Sequence, residues 1–153
     1  MGDYAASGGV YISTPADYIF AHPTTITGSI GVAIAFLTTE DSLEYIGISK
    51  DGVQTSKFAG WTPELPVTEE LDNIFNNLAE RSYQRFLEVV SESRKKDVSE
   101  INKIAGGRVW IGTDALQIDI IDELGDIDDA IGKAAALAEI SEYQLKYLSL
   151  IHI

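Results

Sequence analysis

Residues 4–13 read YAASGGVYIS, and the rest of the chain is organised around this stretch. It places one hydroxyl, that of Ser7, among residues too small to shield it, with Ala5 and Gly9 two positions away on either side. A small-x-Ser-x-Gly pattern is related to the sharp turn that lifts a nucleophilic serine between a strand and a helix. Backbone N–H groups at the start of that helix would stabilise an oxyanion developing beside the serine. The alternative is a glycine-rich turn whose serine only caps the helix, since Ser is a favoured N-cap.

Composition limits the classes of function. The 153 residues, 45% of them hydrophobic, suffice for one domain with a buried core. A net charge of −13 argues against a nucleic-acid partner, because phosphate binding needs clustered Lys and Arg, and against attraction to anionic lipids. There is no cysteine, and the two histidines are far apart, so we expect no disulfide, no metal site and no cofactor. No apolar run approaches the roughly 20 residues that span a bilayer.

Short apolar strands alternate with helices, which predicts an α/β fold with a mainly parallel sheet flanked by helices. The predicted strands are residues 18–21, 32–37, 47–49, 108–112 and 120–122. The predicted helices are residues 7–14, 41–46, 68–94, 113–118 and 126–138, with one more that opens at Asp97 and stops at Gly106. Residues 24–31 are predicted to be a polar turn. The irregular segment 50–66, with Trp61 exposed, is predicted to be a flap near the site.

The helix over residues 68–94 is the clearest periodic pattern. Thr68 suits the N-cap, and Asp97 with Glu100 resembles a capping box for the next helix. One face of the long helix is apolar and is predicted to be buried. Its members are Leu71, Phe75, Leu78, Phe86 and Val90, joined by Ile74 and Val89.

A serine nucleophile needs a proton acceptor, and the sequence offers few. His22 lies at a predicted strand end, where Asp3 or Asp17 would orient its ring, and Lys57 has apolar neighbours in the irregular segment. The alternative for each is a structural or solvated side chain. Ser29 is a second hydroxyl flanked by small residues, which by itself indicates a turn.

Longer motifs run through most of the chain. They are MGDYAASGGVYISTPAD at residues 1–17, PTTITGSIG at 23–31, DGV at 51–53, YQRF at 83–86, IAGGRVWIG at 104–112 and IDELG at 121–125. Together they resemble the catalytic core of the signal peptide peptidase A family, peptidase family S49 of bacterial serine peptidases. The resemblance extends to about residue 140 and implies an α/β fold of the Clp-protease and crotonase type.

The resemblance also implies a Ser–Lys dyad, with Ser7 as nucleophile and Ser29 orienting the general-base lysine. In short members of the family that lysine falls at the position of Ala59, so Lys57 is two residues too early. In long members made of two tandem halves, the second half carries the serine and the first half the lysine, and this chain resembles the second half. The resemblance leaves the backbone amides of Ser7 and Gly8 as local oxyanion donors, since the family's glycine-rich loop would lie before Met1.

The predicted domain organisation is a partial S49 peptidase domain over residues 1–147, truncated at its N-terminus. Residues 148–153, with His152, resemble a translated sequencing adapter. The resemblance implies hydrophobic peptides such as cleaved signal peptides as substrates, a homo-oligomer, and the periplasmic side of the bacterial inner membrane, reached through a missing N-terminal segment. Alternatives are a phage S49 head-maturation protease, a crotonase-like acyl-CoA enzyme and a non-catalytic oligomerisation domain. The fragment alone is predicted to be inactive, with Lys57 or His22 as substitute bases if it is not.

Overall fold

A computed structural model describes residues 1–146 of the chain, so the tail predicted at 148–153 lies outside the described residues. The strands are β1 (Tyr4–Ala6), β2 (Phe20–Ala21), β3 (Ile26–Gly28), β4 (Val109–Ile111) and β5 (Glu123–Leu124). The helices are α1 (Gly8–Ser13), α2 (Glu40–Tyr45), α3 (Glu69–Arg94), α4 (Val98–Ile104), α5 (Gly112–Gln117) and α6 (Ile127–Leu137).

The described strands form two small sheets. In the first, with strand order β1-β3-β4, β3 is parallel to β1 and antiparallel to β4. The second consists of β2 and β5, which are parallel, with Ala21 opposite Leu124. Two of the three pairings are therefore parallel. Strands and helices alternate along the chain, consistent with the predicted α/β class, but in place of a mainly parallel sheet there are two small sheets, the first of them mixed.

The core lies between the sheets and helices α1, α3 and α4. Phe86 and Val90 of α3 are buried beside Val10 of α1, and the rings of Tyr11 and Phe86 meet edge to face with centroids 5.1 Å apart. Ile101 of α4 is buried in the same cluster. The helix that follows the Ser7 turn is thus packed directly on the longest helix of the fold.

The long helix has the predicted start, and three of the seven residues of its predicted face are buried. The hydroxyl of Thr68 accepts a hydrogen bond from the Leu71 amide at 3.3 Å, and Leu71 itself is buried. Ile74 and Leu78 are 43% and 55% exposed, contrary to prediction. They lie in the N-terminal half of α3, away from the elements that cover its C-terminal half, so periodicity overestimated the covered length. Leu87 is buried as well, although it is not among the residues predicted for the buried face.

Two predicted strands are wrong. Residues 32–37 and 47–49 form no strand, and Val32, Ile34 and Phe36 are each about 40% exposed. An apolar run looks the same in sequence whether or not a neighbouring strand covers it. Conversely, β3 lies within the predicted turn at 24–31, and β5 begins three residues later than the strand fragment predicted at Ile120.

The segment 50–66 is irregular, as predicted, but Trp61 is not an exposed side chain. It is half-buried against Phe36 and Phe75, with ring centroids 5.4 and 6.0 Å away, and its Nε1–H donates to the Pro66 carbonyl at 3.2 Å. These contacts fasten the segment to α3. Nothing in them supports the predicted flap near the site.

The predicted capping box of α4 is absent, and one that was not predicted starts α6. The Asp97 side chain makes no capping hydrogen bond to α4, although that helix begins where predicted. A capping box instead starts α6, where the Asp126 side chain accepts from the Asp128 and Asp129 amides and the Asp129 side chain accepts from the Asp126 amide.

Within residues 1–146, none of the helices combines the length and the apolar character that crossing a bilayer requires. The same residues contain no group of three or more His, Cys, Asp or Glu side chains placed to hold a metal ion.

Candidate active site

Ser7 occupies a sharp turn between β1 and α1. Its backbone has φ 51° and ψ −111°, a combination rarely adopted by a residue with a side chain. A Cβ on Gly9 would lie 3.4 Å from the Cβ of Ala5, so small residues at these two positions let the helix fold back closely on the strand. The Ser7 side chain makes no capping hydrogen bond to α1. The alternative in which this serine only caps the helix is therefore wrong.

The strand register brings Ser29 beside Ser7. Ala6 is paired with Gly28 in the parallel ladder of β1 and β3, so the next residues in each strand are the two serines. Adjacent strands are about 4.8 Å apart, and both serines leave the carboxyl ends of their strands at the same sheet edge. Ser29 also has a positive φ, 49°, and its amide donates to the Arg108 carbonyl at 2.6 Å.

Both serines line one cavity of about 660 Å³. The rest of its wall consists mostly of small residues and backbone, and its members are Gly31, Val32, Ala33, Tyr83, Gly106 and Gly107. The backbone approaches closely at one point, because a Cβ on Gly31 would lie only 2.8 Å from the Gly107 nitrogen. The cavity thus offers two hydroxyl groups in an otherwise small-residue and apolar surrounding.

The structure corrects one of the two expected oxyanion donors. The Ser7 amide donates to the Gly28 carbonyl at 2.8 Å, which continues the β1–β3 ladder, so this N–H group is already occupied. Gly8 is exposed and is the first residue of α1. Amides in the first turn of a helix have no acceptor within the helix, so the Gly8 N–H suits an oxyanion beside Ser7.

The cavity does not include the candidate bases. His22 is exposed at the end of β2, in the other sheet, with Nδ1 2.9 Å from Thr24 Oγ1. Lys57 forms an ion pair with Glu70 and lines a different cavity, beside Phe58.

The ring partner that the structure shows for His22 is Thr24, not Asp3 or Asp17. Asp17 lines a separate cavity near the end of α1. Ala59, at the position where the resemblance placed a lysine, is half-buried in a turn of the irregular segment. Among residues 1–146, then, no lysine or histidine contributes to the wall around Ser7 and Ser29.

Sequence reasoning missed two parts of the site as such. Tyr83 on α3 and the turn at Gly106–Gly107 both line the cavity. Both belong to motifs that carry the family resemblance, and the paired glycines also predict the end of a helix. Their place in the cavity wall has no local signal, since it depends on how α3 and the turn pack.

Comparison with known proteins gives a family match and several similar proteases. The model of the family described as peptidase family S49 matches residues 1–141. The chain is 45% identical to Protease 4 of Salmonella typhi over 147 residues, 96% of this chain and 24% of that protein. It is 37% identical to the chloroplastic serine protease SPPA of Arabidopsis thaliana, over 92% of this chain and 21% of that protein. It is 34% identical to a putative signal peptide peptidase SppA of Enterococcus faecium, over 83% of this chain and 37% of that protein. The chain thus spans well under half the length of these relatives.

Proposed function

The chain belongs to peptidase family S49, and from that membership and the site geometry we propose that it carries the nucleophile of a serine endopeptidase that cleaves hydrophobic peptides. The observation that carries the proposal is the register of Ala6 with Gly28, which brings Ser7 and Ser29 together at one cavity. We propose for the whole domain the Clp-protease and crotonase type of α/β fold, which the parallel pairing of β1 and β3 supports.

In this mechanism the Ser7 hydroxyl attacks the scissile carbonyl carbon while a neutral amine takes its proton. The carbonyl oxygen becomes an oxyanion, and the Gly8 amide donates a hydrogen bond to it. When this intermediate collapses, the protonated base gives its proton to the leaving amine, which departs, and an ester remains on Ser7. Water then attacks the ester by the same steps and releases the acid.

The proton acceptor in this proposal is a lysine supplied from outside residues 1–146. Support comes from the cavity wall, where the described chain places neither lysine nor histidine. Ser29 would accept a hydrogen bond from the lysine amine and hold it toward Ser7. A lysine enclosed in a cavity with apolar walls loses hydration, which lowers its pKa and favours the neutral amine that the mechanism needs.

The substrate class is proposed from two sources. One is the name of the Enterococcus faecium relative, which designates a signal peptide peptidase. The other is the cavity wall, where Val32 and Ala33 offer apolar contacts for a small side chain. We also propose a homo-oligomer on the periplasmic side of the bacterial inner membrane, in keeping with the family resemblance. The net charge of −13 provides no attraction to anionic lipid, so this association would depend on another segment.

The test uses a fluorogenic hydrophobic peptide and a serine-reactive fluorophosphonate. We expect no peptide turnover by the 153-residue chain alone. In the peptide-cleaving form of the protein, with the lysine-bearing segment present, Ser7→Ala should lower kcat by on the order of 10⁴-fold or more and abolish labelling. Lys57→Met serves as the matched control and should leave turnover unchanged, because Lys57 pairs with Glu70 outside the site.

Two results would contradict parts of this proposal. Turnover by the isolated chain that disappears in Ser7→Ala would show that the base lies within the chain, at Lys57 or His22. Full peptide turnover by Ser7→Ala would exclude the nucleophile role.

A further inference from the structure

The turn at Gly106–Gly107 lines the same cavity as Ser7 and Ser29 and adjoins residues 29–31. Both glycines have left-handed φ values, 68° and 76°, which lets the chain reverse between α4 and β4 within a few residues. The turn contributes backbone rather than side chains to the cavity.

Three hydrogen bonds fasten this turn to its surroundings. The Gly106 amide donates to the Tyr83 hydroxyl at 3.1 Å. The Gly107 amide donates to the Ile30 carbonyl at 2.9 Å, and the Arg108 carbonyl accepts the Ser29 amide at 2.6 Å. Two of these three bonds thus join the turn to Ser29 and to the next residue, Ile30.

The Tyr83 hydroxyl is itself held in place. It donates to Asn102 Oδ1 on α4 at 2.7 Å while it accepts from the Gly106 amide, and its ring packs against the core cluster. Both hydrogen-bonding roles of the phenol are therefore taken by the fold. Tyr83 lines the cavity, and its hydroxyl is hydrogen-bonded to α4 and to the turn.

Ser29 needs such support, because its backbone is strained. A non-glycine residue at φ 49° persists only where the surrounding structure holds it. The Arg108 carbonyl supplies that hold, and Arg108 directly follows the turn fixed by Tyr83.

We infer that Tyr83 is a positioning residue for Ser29, acting through the Gly106–Arg108 turn. Its hydroxyl fixes the turn, the turn fixes the Ser29 backbone, and Ser29 in turn orients the proton acceptor. The last step rests on the proposed function, whereas the first two are properties of the chain itself.

Amide hydrogen exchange in the 153-residue chain tests the structural link. Tyr83→Phe keeps the ring and removes the hydroxyl, and Tyr45→Phe, whose residue is 92% exposed on α2, is the matched control. We expect exchange at Gly106 and Ser29 to rise by on the order of tenfold in Tyr83→Phe only. Faster exchange at Gly106 without a change at Ser29 would overturn the inference. A uniform rise that includes the Leu87 amide would also overturn it, since that pattern means general destabilisation.

Kinetics of the peptide-cleaving form test the consequence for catalysis. We expect Tyr83→Phe to lower kcat by on the order of tenfold with little change in KM, and to shift the pH profile in the same direction as Ser29→Ala. The double variant should lose little more than Ser29→Ala alone, because both changes act on one hydroxyl. Additive losses with an unchanged pH profile would refute the positioning role. Full activity of Ser7→Ala would defeat the proposed function and leave the exchange result standing, so the two failures are distinguishable.

Discussion

The ion pair between Arg94 and Asp122 is the most testable contact in the fold, because it joins three elements at one carboxylate. Arg94, the last residue of α3, donates to Asp122 Oδ1 at 2.6 Å and to Oδ2 at 3.2 Å. The Ile19 amide donates to the same Oδ2 at 2.7 Å, just before β2. Asp122 itself immediately precedes β5. We predict that Asp122→Asn loosens the junction of α3 with the second sheet.

The magnitude follows from how far the pair is removed from water. The side chains of Arg94 and Asp122 are 12% and 25% exposed. Breaking a fully buried pair costs about 3–5 kcal/mol, and an exposed pair contributes about 0–1 kcal/mol. For this partly buried pair we expect a loss of about 2–3 kcal/mol in the free energy of unfolding. In a chain of this size that loss lowers Tm by about 4–12 °C.

The loss should depend on pH in a defined direction. Partial burial raises the pKa of Asp122, but the hydrogen bonds from Arg94 and the Ile19 amide outweigh it, so the pKa lies below its ordinary 3.8. A carboxylate with a depressed pKa stabilises the fold fully above its unfolded pKa and loses that contribution as the pH falls through its folded pKa. The gap between wild type and Asp122→Asn should be constant from pH 7 to pH 5 and narrow below about pH 4.

Urea unfolding followed by circular dichroism at pH 7, 5, 4 and 3 measures this gap. Glu88→Gln is the control, because Glu88 pairs with Arg85 at 3.4 Å with both side chains more than half exposed. That change should cost less than about 1 kcal/mol at every pH. Equal losses for the two variants, or a gap for Asp122→Asn that stays constant down to pH 3, would refute the reasoning.

Two further predictions concern backbone positions. Gly112→Ala should prevent stable folding, because a Cβ there would lie 2.1 Å from the His22 carbonyl oxygen. Gly132→Ala in α6 would place its Cβ within 4 Å of no atom beyond its chain neighbours and the helix backbone, and should raise the free energy of unfolding by about 0.5–1 kcal/mol. Thermal unfolding of both variants checks this, and equal melting temperatures would contradict it. Ser29→Gly should raise the free energy of unfolding by about 1 kcal/mol, because glycine tolerates the positive φ, whereas Ser29→Ala should not. Both changes should slow peptide cleavage. Urea unfolding midpoints and kcat test these expectations, and a stabilised Ser29→Ala would contradict the assignment of strain to the Ser29 backbone.

The sequence predicted those parts of the fold whose cause is local. The helix beginning at Thr68 follows from an apolar period and a hydroxyl placed to cap it, and both are confirmed. The turn at Ser7 follows from small residues on either side of one hydroxyl, and the helix after it begins at Gly8 as expected within one residue. Local sterics and local hydrogen bonds determine these features, so a window of a few residues contains the information.

Features that depend on a distant partner could not be predicted in the same way. Residues 26–28 form β3 although Gly28 is typical of turns, because Thr27 is buried with its hydroxyl donating to the Ala5 carbonyl at 2.9 Å. This hydrogen bond forms only when β1 pairs with β3, so residues 24–31 alone do not predict it. The run at residues 32–37 shows the reverse case, since its apolar character predicts a covered strand and nothing in residues 1–146 pairs with it.

The same distinction explains how much of the candidate site could be predicted. Ser7 was identified as a nucleophile candidate from its neighbours, but its adjacency to Ser29 depends on a register between residues 22 positions apart. Once that register exists, both hydroxyls stand on left-handed backbones, each of which costs about 1–3 kcal/mol unless the surroundings compensate. The structure compensates with the Gly28 carbonyl at Ser7 and the Arg108 carbonyl at Ser29. Neither hydroxyl is needed to cap α1 or to fill the core, so two strained serines facing one cavity are better explained by chemistry at that cavity than by stability of the fold.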